Sequence, residues 1–227
     1  MIRAALSTLG ILCALVGCSS TAFAQSEPPA SRLELGVGVR WIGTEQLGAK
    51  PATETTGSGG TSQLFSTTSE LAGAAGIEGR VGVRLSRSLM VEAEGAYVKP
   101  ELRIAVSADA EGAAPVTATE TIQQFTIGGD LVWYLPVHRW SPRLAPFAIG
   151  GAGYMRQLHD PGTLVDTGGF YHVGGGVSTL LTSGGRWHTK GAGLRADVQA
   201  FIRSNGVAFD DGAKTSLAAG ASFFVRF

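Results

Sequence analysis

Leu217-Ala218-Ala219-Gly220-Ala221-Ser222-Phe223-Phe224-Val225-Arg226-Phe227 alternates with a period of two. The odd-numbered positions of this stretch are all apolar, whereas the even-numbered positions include Gly220, Ser222 and Arg226. Because successive side chains of a strand point to opposite faces, the stretch predicts a β-strand with one uninterrupted apolar face.

Seven further segments have the same period, and turn-rich stretches separate them. With the closing strand, they span residues 31–42, 69–85, 88–100, 120–135, 145–156, 169–181, 192–203 and 215–227. Each segment has a face without charge. These uncharged faces include Val37 in the first segment, Leu71 and Ile77 in the second, Ile127 in the fourth, and Phe147, Ile149 and Met155 in the fifth.

The charged residues of these segments lie on the opposite faces, among many glycines and alanines. They are Glu34, Arg40, Glu78, Arg80, Arg84, Glu92, Glu94, Asp130, Arg195, Asp197, Arg203 and Arg226, with Arg156 near the rim. A shift by one residue would turn these charges toward lipid, where an Arg or Lys at mid-depth costs roughly 2–4 kcal/mol. Register is therefore strongly specified in the charged strands and weakly specified in the fifth and sixth.

Periodicity alone leaves the direction of the apolar face open, because a soluble lipocalin-like carrier would turn it inward. The small residues of the polar face fit the narrow lumen of an eight-stranded barrel. Aromatic residues near the segment ends indicate two interfacial girdles; they are Trp41, Tyr97, Phe125, Trp133, Phe147 and Tyr171. We therefore predict an all-β fold, an eight-stranded antiparallel up-and-down transmembrane β-barrel.

Residues 1–24 have the form of a cleaved secretory signal peptide, with Arg3, an apolar run and Ala22-Phe23-Ala24 before Gln25. This predicts a barrel domain over residues 25–227. A competing interpretation is a lipobox, Leu15-Val16-Gly17-Cys18, that would leave Cys18 lipidated. Cleavage after Ala24 removes both cysteines and so excludes a disulfide or a cysteine metal site from the mature chain.

The net charge bears on which partners the chain can bind, and the loop lengths bear on its orientation in the membrane. Subtracting Arg3 from 18 basic residues leaves 17 against 18 acidic ones, which gives no electrostatic case for nucleic acid. Long polar connections at 43–68 and 101–119 alternate with the tight Ser86-Arg87-Ser88. This order predicts long extracellular loops, short periplasmic turns and a periplasmic N-terminus. Alternation continues past Pro100 through Leu102, Ile104 and Val106, which leaves an extension of the third strand open.

The sequence offers little chemistry. His138, His159, His172 and His188 share no ligand-type spacing with each other or with a carboxylate. His159-Asp160 together with Asp210-Asp211 is similar to the set that omptin proteases use, but those barrels are larger and the following Pro161-Gly162 favours a simple turn. We predict no enzymatic activity, no cofactor and no metal.

Across the mature chain, the eight segments and the Gly-rich polar faces resemble the small bacterial outer-membrane β-barrel superfamily that includes OmpA-like and OmpW-like domains. Phe223, Val225 and Phe227 resemble the C-terminal signal that such barrels present to the outer-membrane assembly machinery. The resemblance implies a bacterial outer-membrane location and contact with lipid and lipopolysaccharide. It also implies surface loops with roles such as adhesion or small-solute passage.

The balanced charges of the polar faces favour a closed lumen over an open channel, because buried charges without partners are costly. We therefore predict a small outer-membrane barrel with a charge-paired lumen and loops suited to binding or adhesion. The first alternative is a narrow passive pore for small solutes. The second, which fits the sequence pattern less well, is the soluble lipocalin-like carrier.

Overall fold

The computed structural model describes residues 32–55, 57, 59–136, 144–159, 164–183, 189–205 and 213–227. The signal segment 1–24 lies outside these ranges, as do His138, Asp160, His188, Asp210 and Asp211. The described residues form eleven strands: β1 (Leu33–Ile42), β2 (Glu45–Thr55), β3 (Thr61–Leu71), β4 (Ala74–Arg84), β5 (Leu89–Val98), β6 (Glu101–Ser107), β7 (Val116–Tyr134), β8 (Leu144–His159), β9 (Val165–Ser183), β10 (Gly191–Asn205) and β11 (Lys214–Arg226). Among them we find no helix with the length and hydropathy to span a membrane.

Eight of these strands close into a barrel. Its spatial order is β1-β4-β5-β7-β8-β9-β10-β11, which is also the chain order, and β11 pairs back with β1. Every neighbouring pair is antiparallel. Closure leaves no unpaired edge within the wall, so the backbone polar groups are satisfied without water. The predicted fold class is confirmed.

The apolar face of the barrel points outward. Val37, Ile77 and Ile127 are 65 %, 63 % and 64 % exposed, whereas Glu78 and Arg195 are 3 % and 2 % exposed. A soluble carrier would bury the first group and expose the second, so that alternative is wrong. A wall of this kind needs an apolar solvent, which the bilayer supplies.

Two of the predicted loops are strands instead. Past short breaks at Gly43-Thr44, Ala72-Gly73 and Lys99-Pro100, the wall of β1, β4, β5 and β7 continues as a four-stranded sheet in the order β2-β3-β6-β7. We call β2, β3, β6 and residues 116–121 of β7 the outer extension. It contains most of residues 43–68 and 101–119, and β6 confirms that alternation resumes beyond Pro100.

The outward face was predicted wrongly in two places. Leu71 is 4 % exposed, because the Ala72-Gly73 break shifts the alternation between β3 and β4. In β8, Phe147, Ile149 and Met155 are each 3 % exposed and face the lumen, so Phe147 is not part of an outer girdle. Arg156 consequently projects outward instead of into the lumen.

The β8 register follows from what fills the barrel. Phe147 and Ile149 pack with Met90, Val132 and Tyr134, and Met155 packs with Phe170, Phe201 and Ala218. The lumen therefore contains apolar layers between its charged ones. Three neighbouring outward positions of β8, Ala148, Gly150 and Ala152, are small, whereas Tyr154 and Arg156 beyond them are large.

Candidate functional site: the filled lumen and its outer end

The structure brings all twelve of the charged residues predicted for the lumen to the inner face of the barrel. Ten are at most 5 % exposed, and Arg84 and Arg226 lie at the end where β1 begins. The pleat explains this arrangement, because every second position on each strand faces inward. Eleven of the twelve form three groups of ion pairs, and Arg203 pairs with Glu45 of β2.

The first group lies at the end where β1 begins. Arg226 Nε donates to Glu34 Oε2 at 2.8 Å, and Arg84 Nη2 lies 3.5 Å from the same oxygen. The Arg84 guanidinium lies 4.3 Å from the centroid of the Tyr134 ring. Two arginines thus share one carboxylate, and an aromatic face supports one of them.

The second group crosses the lumen. Arg195 of β10 donates to Glu92 of β5 at 2.9 Å, and these strands lie on opposite sides of the barrel. Arg80 of β4 lies 3.6 Å from Asp197 of β10 and donates to the Ser222 hydroxyl. These contacts link walls that share no backbone hydrogen bonds.

The third group centres on Arg40 of β1. Its guanidinium donates to Glu78 at 2.8 Å and to Glu94 at 2.6 Å. Glu94 also lies 3.7 Å from Nδ1 of His172, whose Nε2 is 2.5 Å from Asp130. Asp130 and His172 come from β7 and β9, on either side of β8.

Gly151 of β8 makes the Asp130–His172 contact possible. A Cβ at position 151 would overlap both Oδ1 of Asp130 and Nε2 of His172. The glycine therefore keeps the inner face of β8 open where its two neighbours meet. Sequence reasoning missed His172 as a member of the lumen network, because its partners lie on other strands.

Glu94, Asp130 and His172 have the donor types of a metal site, and their ligand atoms lie within 4.8 Å of one another. Oδ2 of Asp130 and Nδ1 of His172 lack a hydrogen-bond partner among the described residues. However, the Asp130–His172 distance of 2.5 Å is that of a hydrogen bond, and Arg40 already contacts Glu94. A divalent cation would also have to compete with the Arg40 guanidinium for Glu94, so these residues fit a hydrogen-bonded network better than a metal site.

At the end of the lumen next to the outer extension, a polar cluster is followed by a cluster of apolar side chains. Arg203 of β10 donates to Glu45 of β2 at 2.5 Å and to Gln157 at 3.4 Å. Glu45 is a seventh buried carboxylate, which the sequence did not reveal because it lies in a stretch predicted as a loop. Above it, an apolar seal contains Leu47, Leu71, Leu102 and Ile122, each at most 4 % exposed.

A small cavity lies beneath the seal. A cavity of about 20 Å³ lies between the Phe170 and Phe201 rings, Arg203 and Leu71. That volume is on the order of one water molecule.

The other predicted residues lie on the wall and at the rim. Trp41, Phe125, Trp133 and Tyr171 face outward with large exposed fractions, and the Tyr97 ring lies 4.6 Å from that of Phe125. Phe223 also faces outward near the end of β11. At the mouth, His159 contacts Glu120 at 2.9 Å and Asp166 at 3.1 Å, two partners that the sequence did not indicate.

This inside-out, closed architecture can be compared with known proteins. The family described as outer membrane protein beta-barrel domain matches residues 10–224. The chain belongs to this family. Its location is therefore the bacterial outer membrane. No curated protein matches the chain.

The structural comparison finds several bacterial outer-membrane proteins, of which OprG supports the fold. OprG, an outer membrane protein from Pseudomonas aeruginosa, is 12 % identical with a TM-score of 0.51, over 87 % of this chain and 96 % of OprG. Neisserial surface protein A is 16 % identical with a TM-score of 0.48, over 85 % of this chain and 95 % of that protein. Ail of Yersinia pestis, solved with the heparin analogue sucrose octasulfate, is 11 % identical with a TM-score of 0.42, over 85 % of this chain and 99 % of Ail. Similarity at this level of identity bears on the fold alone.

Proposed function

We propose that this outer-membrane barrel has a closed lumen and that its outer extension binds a partner outside the cell. The observation that carries the proposal is the filling of the lumen. Three groups of ion pairs, the Arg203–Glu45 pair, two apolar layers and the apolar seal occupy the lumen, with a cavity of about 20 Å³ beneath the seal.

Energetics supports closure. Burying an unpaired charge inside the barrel costs roughly several kcal/mol of folding free energy. Each buried arginine therefore needs a carboxylate partner. Opening a water path past Arg195 would require breaking its 2.9 Å contact with Glu92. A lumen held in this way acts as a rigid base for the strands that extend beyond it.

The outer extension is the part suited to binding. Short connections such as Ser86-Arg87-Ser88 lie at the opposite end of the barrel, so the extension belongs on the extracellular side. Above the apolar seal its inner face has the half-buried Phe65 and Val106 and exposes Val116 at 65 %. Its outer face has hydroxyl side chains, including Thr68 and Thr119. An apolar patch framed by polar groups is typical of interaction surfaces.

Two further partners belong to the proposal. The acyl chains of the membrane contact the outward faces, with Trp41, Tyr97, Phe125, Trp133 and Tyr171 near the interfaces. Phe223, Val225 and Phe227 are the residues that the assembly machinery reads. Replacing Phe227 with Ser should reduce the folded, heat-modifiable fraction in cells while leaving refolding into vesicles unchanged.

The binding role is tested by trimming residues 51–66 and 105–117, which leaves Glu45 and the apolar seal in place. The trimmed chain should still shift in electrophoretic mobility on boiling, as folded barrels do, but should lose binding to the glycans and proteins that the intact chain retains. A milder variant, Val116→Ser, should weaken the same binding without changing the barrel. If the trimmed chain binds every ligand of the intact one, the extension is not the binding surface.

The second candidate is a narrow passive pore, which the polar side chains of the lumen favour. Planar-bilayer recordings separate the two. A closed lumen predicts no steady conductance from the intact chain. A steady conductance that changes on Arg80→Ala or Glu92→Ala would instead support the pore.

A further inference from the structure

Arg156 has an unusual position on the barrel wall. Within the described ranges of the eight barrel strands, it is the one charged residue whose side chain projects outward; the others face the lumen. It has no ion pair or hydrogen bond with any other described residue. An arginine on a lipid-facing wall is tolerated near an interface, where its cost falls to roughly 0–1 kcal/mol. Its counter-charge must then come from outside the protein.

The height of Arg156 is fixed by the sheet. It pairs with Phe125 of β7, which in turn pairs with Tyr97 of β5. The rings of Tyr97 and Phe125 lie 4.6 Å apart. Aromatic side chains concentrate at the level of lipid headgroups, so the guanidinium lies at that level too. The anionic groups of a bilayer are at the same level.

A groove in the wall lies beside this charge. Its volume is about 580 Å³, and Phe125, Ile127, Tyr154, Arg156 and Leu158 line it. On the other side of Tyr154, the outward positions of β8 are Ala152, Gly150 and Ala148, whose side chains extend no further than Cβ. The larger Leu131 and Val173 flank Gly150 on the neighbouring strands. The wall thus has a shallow trough about 13 Å long from 148 to 152, at roughly 3.3 Å per residue, and the outward ring of Tyr154, 50 % exposed, lies between this trough and Arg156.

We propose that this trough and Arg156 bind a phosphorylated, acylated lipid of the outer leaflet. The phosphate contacts the guanidinium, whose planar donors suit a bidentate contact. One acyl chain passes the Tyr154 ring and lies along the small residues of β8. The choice of leaflet rests on the orientation proposed above, whereas the site itself does not.

The test uses the intact barrel in nanodiscs of phosphatidylcholine with a minor fraction of diphosphorylated lipid A. After transfer to mild detergent, native mass spectrometry counts the lipid A molecules that remain bound. The unmodified chain should retain lipid A in preference to a phosphate-free derivative. Arg156→Gln should weaken this retention about tenfold, the loss expected for one charge-assisted contact.

Two further variants define the site. Ala152→Leu fills the trough and should also reduce retention, whereas Arg103→Gln removes an exposed charge from the outer extension and should leave it unchanged. Inorganic phosphate should not displace the lipid. Boiling-dependent mobility confirms that each variant is folded.

Equal retention by Arg156→Gln and the unmodified chain would overturn the proposal, as would equal retention of the phosphate-free lipid. Because the nanodisc presents lipid A in both leaflets, the result does not depend on orientation. Orientation is measured separately by labelling Thr68→Cys in whole cells with an impermeant reagent. A failure of the lipid site can therefore be told apart from a failure of the proposed function.

Discussion

At the scale of single residues, two neighbouring glycines of β8 have different roles. The inner face at Gly151 has no room for a methyl group, because Asp130 and His172 meet there. A Cβ at Gly150 points outward, and its nearest contact is the His172 carbonyl oxygen at an ordinary 3.7 Å. We predict that Gly151→Ala lowers the free energy of unfolding in lipid vesicles by about 1–3 kcal/mol, as overpacking does.

Gly150→Ala is the matched control, since it is the same chemical change one position away. It should leave the free energy of unfolding within about 0.5 kcal/mol or raise it slightly, because alanine restricts the unfolded chain. Urea titration of both variants gives the comparison. Equal effects at the two positions would show that the Asp130–His172 contact does not depend on the open inner face of β8.

At the scale of strands, β8 is the element whose orientation the structure reverses. Ala148 should face lipid and Ile149 the lumen. A spin label at Ala148→Cys should collide with oxygen dissolved in the membrane and not with a water-soluble nickel complex. A label at Ile149→Cys should either fail to fold, because the packed lumen has no space for it, or show low collision with both reagents. The opposite result would be a folded variant whose label at position 149 collides with membrane oxygen, while the label at position 148 does not. It would show that Ile149 faces lipid, as the sequence predicted.

The strands also show how far the sequence could lead. On β1, Arg40 and Glu34 fix which face is inside, because an arginine at mid-depth in lipid costs roughly 2–4 kcal/mol. On β8 no charge at mid-depth enforces a choice, and both faces of Ala145–Met155 are uncharged. The face of β8 that points inward is instead decided by how well its large side chains fill the lumen. That fit depends on the side chains of the other strands. The same holds for Glu45 and His172, whose partners Arg203 and Asp130 are far away in the sequence.

The outer extension was missed for a different reason. Serines, threonines and glycines in residues 43–68 match the composition of a loop, and β-propensity depends strongly on neighbours. β3 forms between β2 and β6, so each strand is stabilised by pairing with others. The apolar residues that seal the mouth, such as Leu47 and Leu71, are spaced too widely to stand out as one face.

At the scale of the whole molecule, the ion pairs of the lumen connect strands that are not hydrogen-bonded neighbours in the sheet. Glu92 and Arg195 lie on strands at opposite sides of the barrel, and their side chains are 2 % and 0 % exposed. Removing one partner leaves the other buried without its closest counter-charge, which typically costs about 3–5 kcal/mol. We predict such a loss in the free energy of unfolding for Arg195→Met, and a similar one for Glu92→Leu.

In the double variant, the loss in the free energy of unfolding should be clearly smaller than the sum of the two single losses, because both charges are removed together. Arg80 and Asp197, 3.6 Å apart, would remain as a cross-lumen pair in that variant. The exposed pair Arg103 and Glu101, 3.1 Å apart, provides the control cycle. Its coupling should be only about 0.2–1 kcal/mol, since solvent screens both groups. If the Glu92–Arg195 cycle is additive within error, the opposite walls are not held together through this contact, and packing of the apolar layers alone must keep the lumen closed.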